Sequence, residues 1–134
     1  MASTSKGEFK TTDVVQLLFT KTGADMQSTG DQTFTMQGSV GTYVLTKVVA
    51  RWASGATTVA CAGGIYTAAA KGGSALVAAA QSWINLTGAR KIVDGTLAAV
   101  VGTDEQTATP ILSLTTGSTG AATADLALYG VIVA

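Results

Sequence analysis

VLTKVVARWASGATTVACAGGIYTAAAKGGSALVAAAQSW, which runs from Val44 to Trp83, is the stretch that decides the fold. Its first part, Val44–Trp52, alternates between two kinds of position. One face, mostly apolar, comprises Val44, Thr46, Val48, Ala50 and Trp52, and the other, which carries both charges, comprises Leu45, Lys47, Val49 and Arg51. A period of two is typical of a β-strand with one buried face. The segment therefore predicts a long strand.

The second part of the stretch predicts a β-hairpin. Lys71-Gly72-Gly73-Ser74 separates two runs of small and β-compatible residues, Val59–Ala70 and Ala75–Trp83. Because Gly-Gly readily adopts the positive φ angles of a tight turn, we expect the two runs to lie side by side. Ser74–Trp83 also fits helical spacing and is rich in alanine, the best helix former. The preceding turn favours the strand.

Gly63-Gly64 and Cys61, in the first run of the predicted hairpin, each have a structural and a chemical interpretation. Gly63-Gly64 predicts a β-bulge or strand bend; a phosphate-binding loop would need a following lysine, a serine or threonine and a helix start. Cys61 is the only cysteine, so no intramolecular disulfide can form. Its apolar neighbours favour a small buried side chain over a reactive thiol.

The rest of the chain carries further strand signals separated by polar, glycine-containing loops. The strand signals are Val14–Thr20, with Val15, Leu17 and Phe19 on one face, Thr33–Met36, Ile92–Leu97, Pro110–Thr115, and Thr123–Val133, with Asp125 and Tyr129 opposite its apolar face. The loops are Lys21–Asp31, Asn85–Ala89, Thr103–Thr109 and Gly117–Gly120. A helix also fits so short a run as Val14–Thr20. About eight strands with regular turn signals predict an all-β, single-domain β-sandwich of jelly-roll type over residues 13–134.

The N-terminal residues 1–12 are polar around one large apolar side chain, Phe9. They predict a flexible arm, which is either a disordered end or a segment that orders on a partner with Phe9 as its anchor.

Composition favours a subunit of an assembly. The chain is 47% hydrophobic but only 6% aromatic, so its core relies on alanine and valine and part of its stabilising contact is expected from neighbouring subunits. Charged residues make up 12%, and the formal net charge is zero. A nucleic-acid-binding protein needs a basic surplus, so we expect no nucleic-acid partner. A freely diffusing protein usually keeps its net charge away from zero, so the zero net charge of this chain also favours a subunit of an assembly.

Reactive groups are sparse. Without histidine, the commonest general base and metal ligand is missing, and a single cysteine excludes thiolate metal clusters. The eight carboxylates are scattered over predicted loops and strand exteriors: Glu8, Asp13, Asp25, Asp31, Asp94, Asp104, Glu105 and Asp125. A carboxylate pair could still converge in space, but the spacing does not indicate one. The sequence predicts no catalytic, cofactor-binding or metal-binding residues, and a protein that is not an enzyme.

Two remaining features concern ligands and membranes. A sugar-stacking platform is the one ligand site that the aromatic residues suggest, and its members would be Tyr43, Trp52, Tyr66, Trp83 and Tyr129. The position of Trp52 on an apolar strand face favours a core role instead. No apolar run approaches the roughly 18 residues that a membrane span needs, and the first residues lack an apolar signal region. We expect synthesis in the cytoplasm and no membrane partner.

Several stretches together resemble the jelly-roll cement or decoration proteins on the capsids of tailed phages, such as those of Bordetella podophages. They are GGIYTAAAKGGSALVAAAQSW (Gly63–Trp83), LTG (Leu86–Gly88), IVDGTLAA (Ile92–Ala99) and LSLTTGSTGAATADLALYG (Leu112–Gly130). The likeness covers residues 23–130. It consists of turn and packing motifs, so it transfers no functional residues.

The resemblance implies a virion structural protein on the outer surface of a phage head, made in the cytoplasm of a host bacterium. Its partners would be the major capsid protein and further copies of itself, as a homodimer or homotrimer. Two rival functions remain: another virion part, such as a tail, fibre or head-completion subunit, and a carbohydrate-binding module for host attachment.

Overall fold

The computed structural model describes residues 15–57, 61–88, 91–98 and 104–133, and within them the chain forms strands and turns but no helix. The strands are β1 (Gln16–Asp25), β2 (Asp31–Thr33), β3 (Thr35–Met36), β4 (Tyr43–Gly55), β5 (Ala62–Ala68), β6 (Gly72–Val77), β7 (Ile92–Gly95), β8 (Ile111–Thr116) and β9 (Ala122–Ile132). The predicted N-terminal arm, residues 1–12 with Phe9, lies outside the described residues.

The strands form two antiparallel sheets that pack face to face. The five-stranded sheet has the order β3-β1-β9-β4-β7, and the four-stranded sheet has the order β2-β8-β5-β6. The pairings are nested: β1 pairs with β9, β2 with β8, β4 with β7, and β5 with β6. Successive pairs alternate between the two sheets. The predicted all-β sandwich is confirmed.

The hydrophobic core lies between the sheets and joins both of them. Its largest fully buried side chains include Trp83, Tyr43 and Phe19. The Phe19 and Tyr43 rings meet edge to face, with centroids 5.1 Å apart, a favourable aromatic geometry. The Tyr43 hydroxyl donates to the carbonyl of Ala108 at 2.7 Å. A few large side chains thus supplement the many small ones that the composition predicts.

Strand β4 changes the phase of its alternation near its start, and its pairing with β9 shifts again between Trp52 and Ser54. Val48 is fully buried, as predicted, but nearer the start of the strand Leu45 faces the core instead of Val44 and Thr46. The pairing of β4 with β9 shifts between Leu45 and Lys47. A bulge there adds one residue and reverses which side chains point inward, so the predicted face is wrong before the bulge.

Strand β1 contains a similar irregularity. Its pairing with β9 shifts between Leu17 and Phe19, and both Leu18 and Phe19 are buried while Leu17 and Val15 are exposed. The predicted face of Val15, Leu17 and Phe19 is therefore wrong. The strand also continues through Lys21–Asp25, part of a predicted loop, because β9 supplies partners along that length.

The predicted strand around Phe34 is a corner between the two sheets. Strand β2 before it pairs with β8 in the four-stranded sheet, and β3 after it pairs with β1 in the five-stranded sheet. Phe34 itself is buried, so it anchors the crossing of the chain from one sheet to the other.

The predicted hairpin is confirmed for β5 and β6, although Val59 and Ala60 lie outside the described residues. The turn is centred two residues earlier than expected, with positive φ at Ala70 (57°) and Lys71 (58°), and Gly73 just after it also has a positive φ (65°). The Asp31 carboxylate accepts from the Ala70 amide at 2.8 Å, and the Lys71 amine contacts Ser113 Oγ at 2.9 Å. These tertiary contacts accompany a backbone conformation that non-glycine residues rarely adopt.

The ambiguous segment Ser74–Trp83 is a strand as far as Val77 and then continues in turns, without a helix. Three of the other predicted strands are found as β7, β8 and β9. Strand β9 pairs with β1 on one side and β4 on the other, so the C-terminal stretch is central to its sheet.

Candidate functional site

Three of the described carboxylates, those of Asp25, Asp31 and Asp125, accept hydrogen bonds from backbone amides. Asp125 Oδ1 accepts from the Gly23 amide at 2.8 Å, and Asp25 Oδ1 accepts from the Gln27 amide at 2.9 Å. Within residues 15–57, 61–88, 91–98 and 104–133, no three histidine, cysteine, aspartate or glutamate side chains lie together as a metal site would require. Asp104 and Glu105 are exposed in a loop, as predicted.

Gly63-Gly64 lies within β5 and makes close backbone contacts. The pairing of β5 with β8 shifts between Ala62 and Gly63, so the predicted bulge is confirmed. The Gly63 amide donates to the carbonyl of Gln81 at 2.9 Å, and its carbonyl accepts from Trp83 Nε1 at 3.1 Å. Both polar groups are thereby occupied, which leaves the Gly63 amide unable to bind a phosphate.

Cys61 is a buried thiol with little reactivity. Its side chain is inaccessible to solvent, and Sγ contacts the carbonyl of Met26 at 3.5 Å. Burial raises the pKa of the thiol to about 11, against a smaller opposing effect of a backbone hydrogen bond from Ser118. Because the thiolate is the reactive form, the raised pKa makes this thiol unreactive near neutral pH. Its burial confirms the prediction of a small buried side chain.

We expect the stability of the fold to decrease at high pH. Burial raises the pKa of Cys61 from 9.0 to about 11 and that of Tyr43 from 10.0 to about 12. The folded chain holds both protons more tightly than the unfolded chain. Their contribution is therefore complete below pH 9.0 and is lost as the pH rises through 11 and 12. Urea unfolding across this range should give a falling free energy of unfolding, with a shallower fall for Cys61→Ala. A flat profile in the unaltered protein would contradict this.

The five aromatic residues of the possible sugar platform are not brought together. Tyr43 and Trp83 are fully buried. Trp52 packs against the core, and its neighbour in the register is the buried Ala124. Tyr129 lies on the opposite side of the same sheet, between the buried Leu128 and Gly130 of β9. Tyr66, on the other sheet, lies over Gly64, whose added Cβ would stand 3.0 Å from the Tyr66 ring.

Exposed large apolar side chains are concentrated on one sheet. Of the described residues, those exposed are Val15, Leu17, Met36 and Ile92. Three lie on β1, β3 and β7 of the five-stranded sheet, and Val15 directly precedes β1. The four-stranded sheet carries none among its described residues. This asymmetry makes the five-stranded sheet the candidate interaction surface.

The outer face of the five-stranded sheet is broad, with charges of both signs. It comprises Leu17, Val44, Lys47, Val49, Arg51, Ile92, Asp94, Asp125, Ala127, Tyr129 and Val131. Arg51 lies in register between Asp125 and Ile92, and Val49 lies between Ala127 and Asp94. Each charge therefore has either an opposite charge or an apolar side chain beside it. The face combines apolar contact area with no dominant sign of charge.

Comparisons with protein-family models, with curated proteins and with solved structures gave no match. The described residues include no helix that is long and apolar enough to cross a membrane.

Proposed function

We propose that this protein is a non-enzymatic capsid cement or decoration protein of a tailed phage. It would bind the outside of the head, bridge neighbouring major capsid proteins and hold them against internal pressure. The single observation that carries the proposal is the concentration of exposed apolar side chains on the five-stranded sheet. A cement protein needs one such adhesive face, and repetition over many copies makes modest contacts collectively strong.

The nested strand pairing supports the jelly-roll topology that the resemblance implies. When the two-residue β3 is left out, the remaining eight strands pair first with last and inward to the central hairpin β5–β6. A long antiparallel ribbon wound in this way gives the two four-stranded sheets of a jelly roll. Viral capsid proteins are among the proteins that use this architecture.

The proposed partners are the major capsid protein and further copies of this chain, as a homodimer or homotrimer. The mixed charges of the outer face suit a wide, weakly polar protein surface better than a polyanion, which would require a basic patch. We therefore propose neither a nucleic-acid nor a membrane partner. The protein would be synthesised in the host bacterial cytoplasm and function on the virion.

A particle experiment tests this function. Heads lacking the protein should release DNA at a lower temperature than complete heads, and adding the purified protein should restore the difference. A labelled copy should be distributed over the whole shell. Equal survival of both kinds of head would contradict the proposal, and a few copies at a single vertex would favour a tail or head-completion role.

Ile92→Lys should weaken binding of the protein to heads. Ile92 is 56% exposed on the candidate face, so the substitution should leave the fold intact. Losing a large apolar contact costs about 1.5–3 kcal/mol, which corresponds to about 10- to 150-fold weaker binding. The matched control is Ser74→Lys, at an exposed position on β6 of the four-stranded sheet. Co-sedimentation with heads measures both; equal effects of the two variants would exclude this face as the binding surface.

A further inference from the structure

Among the residues that the structure describes, one edge of the five-stranded sheet has no partner strand at the start of β1. Strand β3 covers β1 only at Phe19 and Thr20, followed by a last hydrogen bond from the Gln37 amide to the Leu18 carbonyl at 2.8 Å. The chain then turns away at Gly38, whose φ is +71°. In the described part of the chain, nothing pairs with this side of Val15–Leu17.

This open segment lacks the features that normally protect a sheet edge. Proteins usually place charges, lysine or proline at such edges to prevent pairing with another chain. Val15 is 57% exposed and Leu17 is 36% exposed, and Gln16 between them is exposed and uncharged. The apolar side chains occupy alternate positions, so both lie on one side of the strand.

The opposite edge of the same sheet is less suited to self-pairing. Strand β7 also carries an exposed apolar side chain, Ile92, but Lys91 precedes it and Asp94 follows it. A two-fold axis at Val93 would place Asp94 directly beside Ile92 of the second copy. Such pairing would desolvate a carboxylate against an apolar side chain, which is unfavourable.

We propose that two copies of this chain associate through the open edge of β1, antiparallel about a two-fold axis at Gln16. Val15 then lies opposite Leu17 of the partner subunit, and Leu17 opposite Val15 of the partner subunit. A two-fold interface requires such self-complementarity: if one residue contacts a second residue across the interface, the second also contacts the first on the other side of the axis. No charged residue of the segment is brought against itself. The result is one sheet continuous across both subunits.

This inference specifies the self-association that is part of the proposed function, but it is tested on purified protein. Failure to dimerise would leave binding to heads open, and failure to bind heads would leave dimerisation open. The two results are therefore distinguishable.

Disulfide trapping tests the predicted axis. Gln16→Cys places two thiols directly opposite each other, at a Cα separation of about 4.5–5.5 Å, which a disulfide can span. The native Cys61 is fully buried, so it does not compete. Under mild oxidation the variant should become mainly a covalent dimer on a non-reducing gel. Ile92→Cys, whose thiol would also be at an exposed position but on the other edge, should not. Equal trapping of the two variants, or none in Gln16→Cys, would overturn the proposal.

Sedimentation gives a second, independent readout. The unaltered protein should sediment with about twice the 13.4 kDa mass of the chain, and Leu17→Lys should sediment as a monomer with an unchanged circular dichroism spectrum. Ile92→Lys should remain a dimer. A monomeric or trimeric unaltered protein would overturn the proposal, as would dissociation by Ile92→Lys with Leu17→Lys unaffected.

Discussion

Replacing Trp83 with alanine is expected to lower the free energy of unfolding by about 3–5 kcal/mol. Trp83 is fully buried and is the largest side chain of the core. Its Nε1 donates to the Gly63 carbonyl at 3.1 Å. An added Cβ on Gly95 would stand only 3.1 Å from the Trp83 ring, so the ring lies close against β7. Truncation would remove this packing and leave the Gly63 carbonyl without its side-chain donor.

Thermal or urea unfolding followed by circular dichroism measures this loss. For a chain of this length the melting temperature should fall by about 10–20 °C. Trp52→Ala is the matched control, because Trp52 is only half-buried although its Nε1 also donates to a backbone carbonyl, that of Gly55. The control should lose clearly less stability. Equal losses would mean that the hydrogen bond of Trp83 to Gly63 and its packing against β7 add little stability.

The burial of Trp83 also determines how a carbohydrate-binding role should be tested. Loss of glycan binding in Trp83→Ala would report unfolding, because the side chain is inaccessible to a sugar in the folded protein. Tyr129 is the informative position, since it is half-buried on the outer face of the five-stranded sheet. A glycan signal that survives Tyr129→Ala would not involve that face.

Period-two alternation predicted those strands in which the register runs without interruption. In β9, Ala124, Leu126 and Leu128 are buried as the pattern predicts. In β7, Val93 and Gly95 are partly buried while Asp94 is exposed. Where every second side chain faces the core without interruption, the alternation of apolar and polar residues is enough to predict both the strand and its buried face.

Bulges limited the prediction elsewhere. In β1 and β4 the first of two register shifts against β9, near Leu17 and near Leu45, reverses the alternation. No residue type in these two places marks a bulge, because the cause is the pairing with β9, more than 70 residues further along the chain. Gly63 differs, since glycine within a strand is itself a sign of a bulge or of close backbone approach, and this one was predicted.

The candidate surface could not be predicted from local sequence, because exposure depends on which strands lie at the sheet edges. Val15 and Leu17 resemble core residues in the sequence, and Phe19, next in the same alternation, is indeed buried. Only the strand order places the start of β1 beside the short β3 and so leaves these side chains exposed. The signal that could have indicated this edge is the early turn at Gly38, which makes β3 too short to cover β1.

Gly63→Ala is expected to destabilise the protein by about 3 kcal/mol or more, at the upper end of the range for overpacking. A Cβ at this position would stand 2.3 Å from the Leu114 Cα and 2.8 Å from the Thr115 nitrogen. Both atoms belong to the backbone of β8, so no side-chain rotation can relieve the clash. Strands β5 and β8 would have to separate at the bulge, which would also displace the carbonyl that accepts from Trp83.

Gly120→Ala is the control for the general effect of replacing glycine. No atom lies within 4 Å of its added Cβ, and its φ is not in the left-handed region, so its stability should change by less than about 1 kcal/mol. Urea unfolding of the two variants measures the contrast. If Gly63→Ala were as stable as Gly120→Ala, the backbones of β5 and β8 could not approach as closely as described. The hydrogen bond from Trp83 to the Gly63 carbonyl would then also require revision, because it depends on the same position of β5.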